Sequence, residues 1–147
     1  MYVVVSPTNP DEDNSGVRHI TCTMAPAVYN GAELASEIEI SLQSTINNNL
    51  YPDLLRCKYN PKKNNITIYH NYIDWQFKIM TDNDISTKLN NTWIGDGYDM
   101  NNHHSMNEVI GNVYSNSPWY NTINSYTSNV LNLQPIRNIY SFVSREL

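Results

Sequence analysis

Only one stretch of this chain repeats its apolar residues at the spacing of a helix. Leu34, Ile38, Leu42 and Ile46 recur every fourth position, which lays one apolar stripe along a helix of about 31–46. Asn30 is placed to cap that helix, and Gly31 and Glu33 suit its first turn. Asn47, Asn48 and Asn49 stop it, because asparagine side chains compete for backbone hydrogen bonds. Ser36, Ser41 and Ser44 dilute the remaining circumference, so the helix lies on something and is not buried all round.

Around it the apolar period is two. Met1 to Val5 is a β-branched run closed by Ser6-Pro7, and residues 7–16 are all loop formers. Val17 to Met24 alternates, with Ile20, Cys22 and Met24 on one face. Leu54 to Tyr59 and Asn65 to His70 make a hairpin through Asn60-Pro61-Lys62-Lys63-Asn64, with Ile66, Ile68 and His70 sharing a face. Trp75 to Met80 sets Trp75, Phe77 and Ile79 against Gln76, Lys78 and Met80. Asp82 to Leu89 reads as a short helix with an Asx cap and an Ile85/Leu89 apolar pair. Val130 to Leu133 and Asn138 to Val143 read as a final strand region broken by Pro135. About six short strands against one good helix, with no βαβ alternation, give a mainly β fold. The expected architecture is an antiparallel β-sandwich with the helix packed on it.

A length of 147 residues suits a single β-sandwich domain over 1–147, whole or a piece of a longer chain. Charged residues are only 16% of it, while asparagine reaches 23 and tyrosine 11. A net charge of −5 argues against nucleic-acid binding, which needs a basic face, and the longest basic run is Lys62-Lys63. No apolar run approaches the roughly 18 residues of a membrane span, and the start MYVVVSPTNP lacks the charged region of a signal peptide.

Few residues are arranged for chemistry. Asp11 to Gly16 matches the first half of a calcium loop, but position 12 of that loop would be Cys22 and not a bidentate acid. His103 and His104 lie near Asp96, Asp99 and Glu108, yet adjacent histidines on an extended chain point to opposite faces. Cys22 and Cys57 fall in strands, with no His or Cys at metal-ligand spacing and no disulfide framework. Nucleophile-elbow and phosphate-loop patterns are missing. No enzyme activity, metal or cofactor is therefore expected. The unusual feature is the long loop region of about 90–129, rich in Asn, with Ser105 and Glu108 spaced as a capping box inside it. Its aromatics Trp93, Tyr98, Trp119, Tyr120 and Tyr126 are candidates for protein contact or glycan stacking, or else for capping the ends of the core.

The residues His19-Ile20-Thr21-Cys22-Thr23-Met24-Ala25-Pro26-Ala27-Val28-Tyr29-Asn30-Gly31-Ala32-Glu33-Leu34-Ala35-Ser36-Glu37-Ile38 run as a strand, then P-x-x-Y-x-G, then a helix opening x-x-L-A-x-x-I. Arg56 to Asn60, Asn65 to Ile68 and Phe77 to Ile79 follow, and Val130 to Tyr140 reads VLNLQPIRNIY. This order resembles the penton-like minor capsid proteins of virophages and Polinton-type elements, over about 21–79 and 130–144. The chain departs from that pattern at Ala27 and at Leu89-Asn90. The resemblance implies a jelly-roll vertex protein of the virion that forms pentamers and seats among major capsid subunits. The expected function is thus a structural virion protein acting through self-assembly, and the alternative is a receptor- or glycan-binding module using the aromatic loops. Met1 to Val5 is apolar at nearly every position, so it is either buried on both faces or paired at an edge. In the second case Tyr2, Val3, Val4 and Val5 are the candidate edge strand for pairing with another copy, since an exposed edge is a template for a further strand.

Overall fold

The computed structural model describes residues 1–9, 16–25, 27–46, 55–81, 83–85, 106–112 and 117–133. Over these residues the protein is mainly β, with two three-stranded antiparallel sheets that do not close into a barrel and few helices. In the first sheet β1 (Tyr2–Pro7) lies between β2 (Arg18–Thr21) and β5 (Trp75–Ile79). Val3 stands opposite Ile20 on one side and Ile79 on the other, and Val5 opposite Phe77. These five side chains enter the main core, while Tyr2 and Val4 on the other face join a smaller cluster with Met80 and Ile85. Burial on both faces explains why β1 is apolar at almost every position. It also corrects one expectation. Tyr2, Val3, Val4 and Val5 form no edge strand, because their backbones are paired with β2 and β5 at once.

The second sheet sets β4 (Asn65–Tyr69) between β3 (Arg56–Asn60) and β6 (Tyr126–Thr127). The β3–β4 turn is closed by Asn60, whose Oδ1 accepts from Lys62 N at 3.1 Å and Lys63 N at 3.3 Å. Asn64 ends the turn at φ 48°, a left-handed value that asparagine tolerates better than most residues. Ile66, Ile68 and His70 are buried on one face, as the alternation predicts.

The helix α1 (Gly31–Ile46) matches its expected bounds. Leu34, Ile38 and Leu42 are buried in the main core, whereas the side chain of Ile46 lies outside the described residues. Its start is a reciprocal capping box. Glu33 N donates to Asn30 Oδ1 and Asn30 N donates to Glu33 Oε2, both at 2.9 Å. Gly31 is required there by packing, since a Cβ at that position would overlap the Tyr59 ring. α1 packs on β2 and β3, the outer strand of each sheet, and so closes one side of the shared core. It also blunts the β3 edge. Cys57 N donates to Glu39 Oε2 at 2.7 Å, and Arg56 Nε lies 3.3 Å from the same oxygen.

The short helix α2 (Met106–Ile110) begins where the sequence places it, although Ser105 and the Glu108 side chain lie outside the described residues. Gly111 ends it at φ 66°, with Asn129 packed where a Cβ would stand. Two further expectations change. The turn at 83–85 is capped by Thr81: Asp84 N donates to Thr81 Oγ1 at 3.2 Å and Thr81 Oγ1 donates to Asp84 Oδ2 at 3.0 Å, while Asp82 lies outside the described residues. Val130 to Leu133 is irregular and not a strand, because Leu131 N donates to Asn64 O in a turn and Asn132 N to Val109 O in α2. Leu89, Asp11 to Ser15, Asn47 to Asn49 and Asn138 to Val143 lie outside the described residues.

Candidate functional site

Of the region that the sequence marks as unusual, the described segment from Ser117 onward is built on the open edge of β5. There Phe77 faces the core and Lys78, by alternation, the outer face. Tyr120 pairs with Phe77 through both backbone bonds, Phe77 N to Tyr120 O at 2.9 Å and Tyr120 N to Phe77 O at 2.7 Å. The antiparallel sense of that bridge sets Trp119 beside Lys78, whose Nζ stands 4.5 Å from the Trp119 ring centroid. It then carries the chain from Asn121 toward the start of β5. Asn121 closes a tight turn there, its Oδ1 accepting from Ile123 N at 2.9 Å and Asn124 N at 3.0 Å. The next residues cross to the second sheet, where Tyr126 and Thr127 pair with Ile68 and Thr67. Ser128 continues that pairing with Ile66 through its backbone N and its hydroxyl.

One segment thus spans from β5 to β4, and its aromatics follow this path. Tyr120 and Tyr126 are buried; their rings meet edge to face at 5.6 Å, and Tyr120 lies 5.4 Å from Phe77. Tyr126 is 1% exposed and donates its hydroxyl proton to Ile110 O at 3.3 Å. As surface contacts for a glycan or a partner these two are corrected: they are core, because each sits at the point where the segment pairs with a strand. Trp119 is 39% exposed and stays a surface candidate. Trp93 and Tyr98 lie outside the described residues.

The structure adds members that sequence reasoning missed. Ile123 is 94% exposed at the tip of the Asn121 turn, and Ile73 is 79% exposed beside Tyr72 in the turn leading into β5. Both turns leave the same end of β5. The spacing of Asn121 and Asn124 around Ile123 is a turn signal the sequence carried; the juxtaposition with Ile73 depends on the Tyr120 bridge.

Behind this surface Asp84 fastens the segment's start. Ser117 N donates to Asp84 Oδ2 at 2.8 Å, Ser117 Oγ–H makes a second, short bond to the same oxygen, and Thr81 N donates to Ser117 Oγ at 2.9 Å. Burial pushes the Asp84 carboxyl up, but the bonds from Ser117 and Thr81 outweigh it and hold the group below its ordinary range. Deeper in, Asn107 Nδ2 donates to Met80 O at 3.0 Å and Asn112 Nδ2 to Asn107 Oδ1 at 2.9 Å, which satisfies two buried amides. No protein-family model, curated protein or solved structure matches this chain.

Cys22 and Cys57 are both buried free thiols. Burial pushes Cys57 up to about 12, with Glu39 and then Cys22 adding to the rise, and burial raises Cys22 as well. Both stay protonated at neutral pH, and a thiol in that form is a poor nucleophile. Among the described residues no cluster of three His, Cys, Asp or Glu could hold a metal ion. His103, His104, Asp96 and Asp99 lie outside them. No helix among them is long and apolar enough to cross a membrane.

Proposed function

We propose that this chain is a structural virion protein, a penton-like minor capsid or vertex component that works by protein–protein contact and carries no catalysis. Its two sheets then form part of a jelly-roll-like sandwich, and its partners are further copies of itself, five by the resemblance, and a major capsid protein. The observation that supports contact is the start of β5, where Ile73 and Ile123 stand exposed on two neighbouring turns, the second closed by Asn121, with Trp119 exposed farther along the same strand beside Lys78. Exposed apolar side chains gathered in one place mark interaction sites more often than scattered ones do. The strand of Tyr2 to Val5 takes no part in this reading.

Light scattering on the purified chain over a wide dilution range tests it. We expect more than one copy per particle, a shift toward monomer in an Ile73→Asp/Ile123→Asp double variant, and co-sedimentation of the wild type with a major capsid protein encoded beside it. A monomer at every concentration that also ignores the capsid protein would overturn the proposal.

A second reading has one specific observation in its favour. Trp119 is partly exposed and steadied by Lys78, the arrangement a sugar-stacking residue needs. A receptor- or glycan-binding module would lose its glycan-array signal on Trp119→Ala while keeping its melting temperature.

A further inference from the structure

Among 23 asparagines only one precedes a glycine, Asn30 before Gly31. That order is the asparagine context most open to intramolecular attack, because a following residue without a Cβ leaves its backbone nitrogen unshielded. Here two separate requirements create it. The start of α1 needs an oxygen at the cap, supplied by Asn30 Oδ1, which accepts from Glu33 N at 2.9 Å. The ring of Tyr59 leaves no room for a Cβ at the next position, and Tyr59 is itself held by its hydroxyl bond to Asn64 Oδ1 at 2.9 Å. Asn30 is exposed, so water and base reach it.

We propose that Asn30 is a site of spontaneous deamidation, kept closed by the capping box while the first turn of α1 is formed. The Gly31 nitrogen loses its proton to a solvent base and bonds to Asn30 Cγ. The side-chain nitrogen takes that proton back from the solvent acid, its bond to Cγ breaks, ammonia leaves, and a five-membered succinimide remains. Water then adds to one of its two carbonyls and opens the ring to aspartate or isoaspartate. Nothing is oxidised or reduced, and water is the only co-reactant.

The attack needs Cγ to swing onto the Gly31 nitrogen. In the folded helix Oδ1 is tied to Glu33 N, the Asn30 amide is tied to Glu33 Oε2 at 2.9 Å, and Asn30 O accepts from Leu34 N at 2.9 Å. All three bonds must loosen together, which is local opening of the helix start. The two products then differ. Aspartate keeps an oxygen at the cap. Isoaspartate adds a methylene to the main chain between residues 30 and 31, so the cap and the glycine under Tyr59 can no longer both be in place. The modification acts as a latch on a helix start that has opened.

The test is peptide mapping by mass spectrometry of the whole chain during incubation at mildly alkaline pH, with aspartate and isoaspartate separated by retention time. We expect slow conversion at Asn30 in the native wild type and the fastest in urea. Glu33→Ala removes the bond to the Asn30 amide and should convert about tenfold faster than wild type, the factor that corresponds to roughly 1.4 kcal/mol of lost capping. Glu33→Gln keeps an acceptor and should stay near the wild-type rate. Absence of conversion at Asn30 in urea overturns the site. Equal rates in native buffer and in urea, or for Glu33→Ala and wild type, overturn the gate.

Discussion

The unit made by α1, β3 and β4 and the segment 117–133 enclose the same core by different means. In the first, the local sequence decides almost everything: a helical period, a capping box between Asn30 and Glu33, and a hairpin turn closed by Asn60. In the second, hardly any residue is in regular structure, yet it reaches both sheets through the Tyr120 bridge to β5 and the Tyr126–Thr127 pairing with β4. Regularity and structural importance are therefore separate properties here. A segment that looks like a loop holds the two sheets together because its few backbone bonds fall where a strand edge is open.

The largest expected effect tests that claim directly. Tyr126→Ala removes a buried ring, its contact with Tyr120 and its bond to Ile110 O, and should cost about 3–5 kcal/mol in a urea melt, as other buried aromatic truncations do. Ile123→Ala, three residues away on the exposed turn, should change stability by less than about 0.5 kcal/mol. If Tyr126→Ala is as mild as Ile123→Ala, the segment merely rests on a finished core and the comparison fails.

The regular unit supplies the matching pair. Ile38 is fully buried on the apolar stripe, so Ile38→Ala should cost about 2–5 kcal/mol. Glu37→Ala should cost under about 0.5 kcal/mol, since Glu37 stands off that stripe. Similar losses from the two substitutions would mean that the buried face of α1 is misassigned.

These pairs also show what could be read from the sequence. The bounds of α1, the β3–β4 hairpin and the inward faces of β4 and β5 were legible because each depends on residues within about one turn or one strand of one another. The position of β1 was not. An apolar run says that a strand is buried, but whether it ends up at an edge or in the middle depends on β5, which joins it from some 70 residues away. Whether Tyr120 and Tyr126 were surface or core stayed open for the same reason: aromatic residues among asparagines carry no period, and their burial is set by the strands they meet. Of the surface candidates Trp119 was legible, while Ile73 and Ile123 needed the bridge at Tyr120 to bring their turns to one end.

A smaller effect is expected at the seam between α1 and β3. Glu39 accepts the Cys57 amide on the open side of β3 and pairs with Arg56. Glu39→Ala leaves that amide without its acceptor and should cost about 1–2 kcal/mol, less than a fully buried charged bond because the carboxylate is partly solvated. Glu39→Gln keeps an oxygen for Cys57 and should recover most of the loss. If both variants melt like wild type, the edge is held by packing alone and the seam resembles the segment 117–133 less than the bond suggests.

The smallest effect is a slope, and it separates the two regions by pH. His70 sits between them at the end of β4, buried, with its ring edge to face on Phe77 at 5.7 Å. Its Nδ1 accepts from Tyr72 N at 3.3 Å, so the neutral ring carries its proton on Nε2. Burial lowers its pKa by more than backbone contacts with Tyr120 and Tyr72 raise it. A second proton would occupy the nitrogen that Tyr72 N needs. The unfolded chain takes up that proton from about pH 6.5 downward while the folded chain resists it, so the stability His70 gives is present above that pH and drains away as pH falls through the folded value. Asp84 is also lowered in the fold, but from a carboxylate value, so its contribution is lost only in stronger acid, below about pH 4. Melting temperatures taken from about pH 7 to about pH 5 should therefore fall in wild type and in Asp84→Asn alike, and fall less in His70→Phe. An unchanged slope in His70→Phe would show that the ring beside Phe77 is not what acid disturbs.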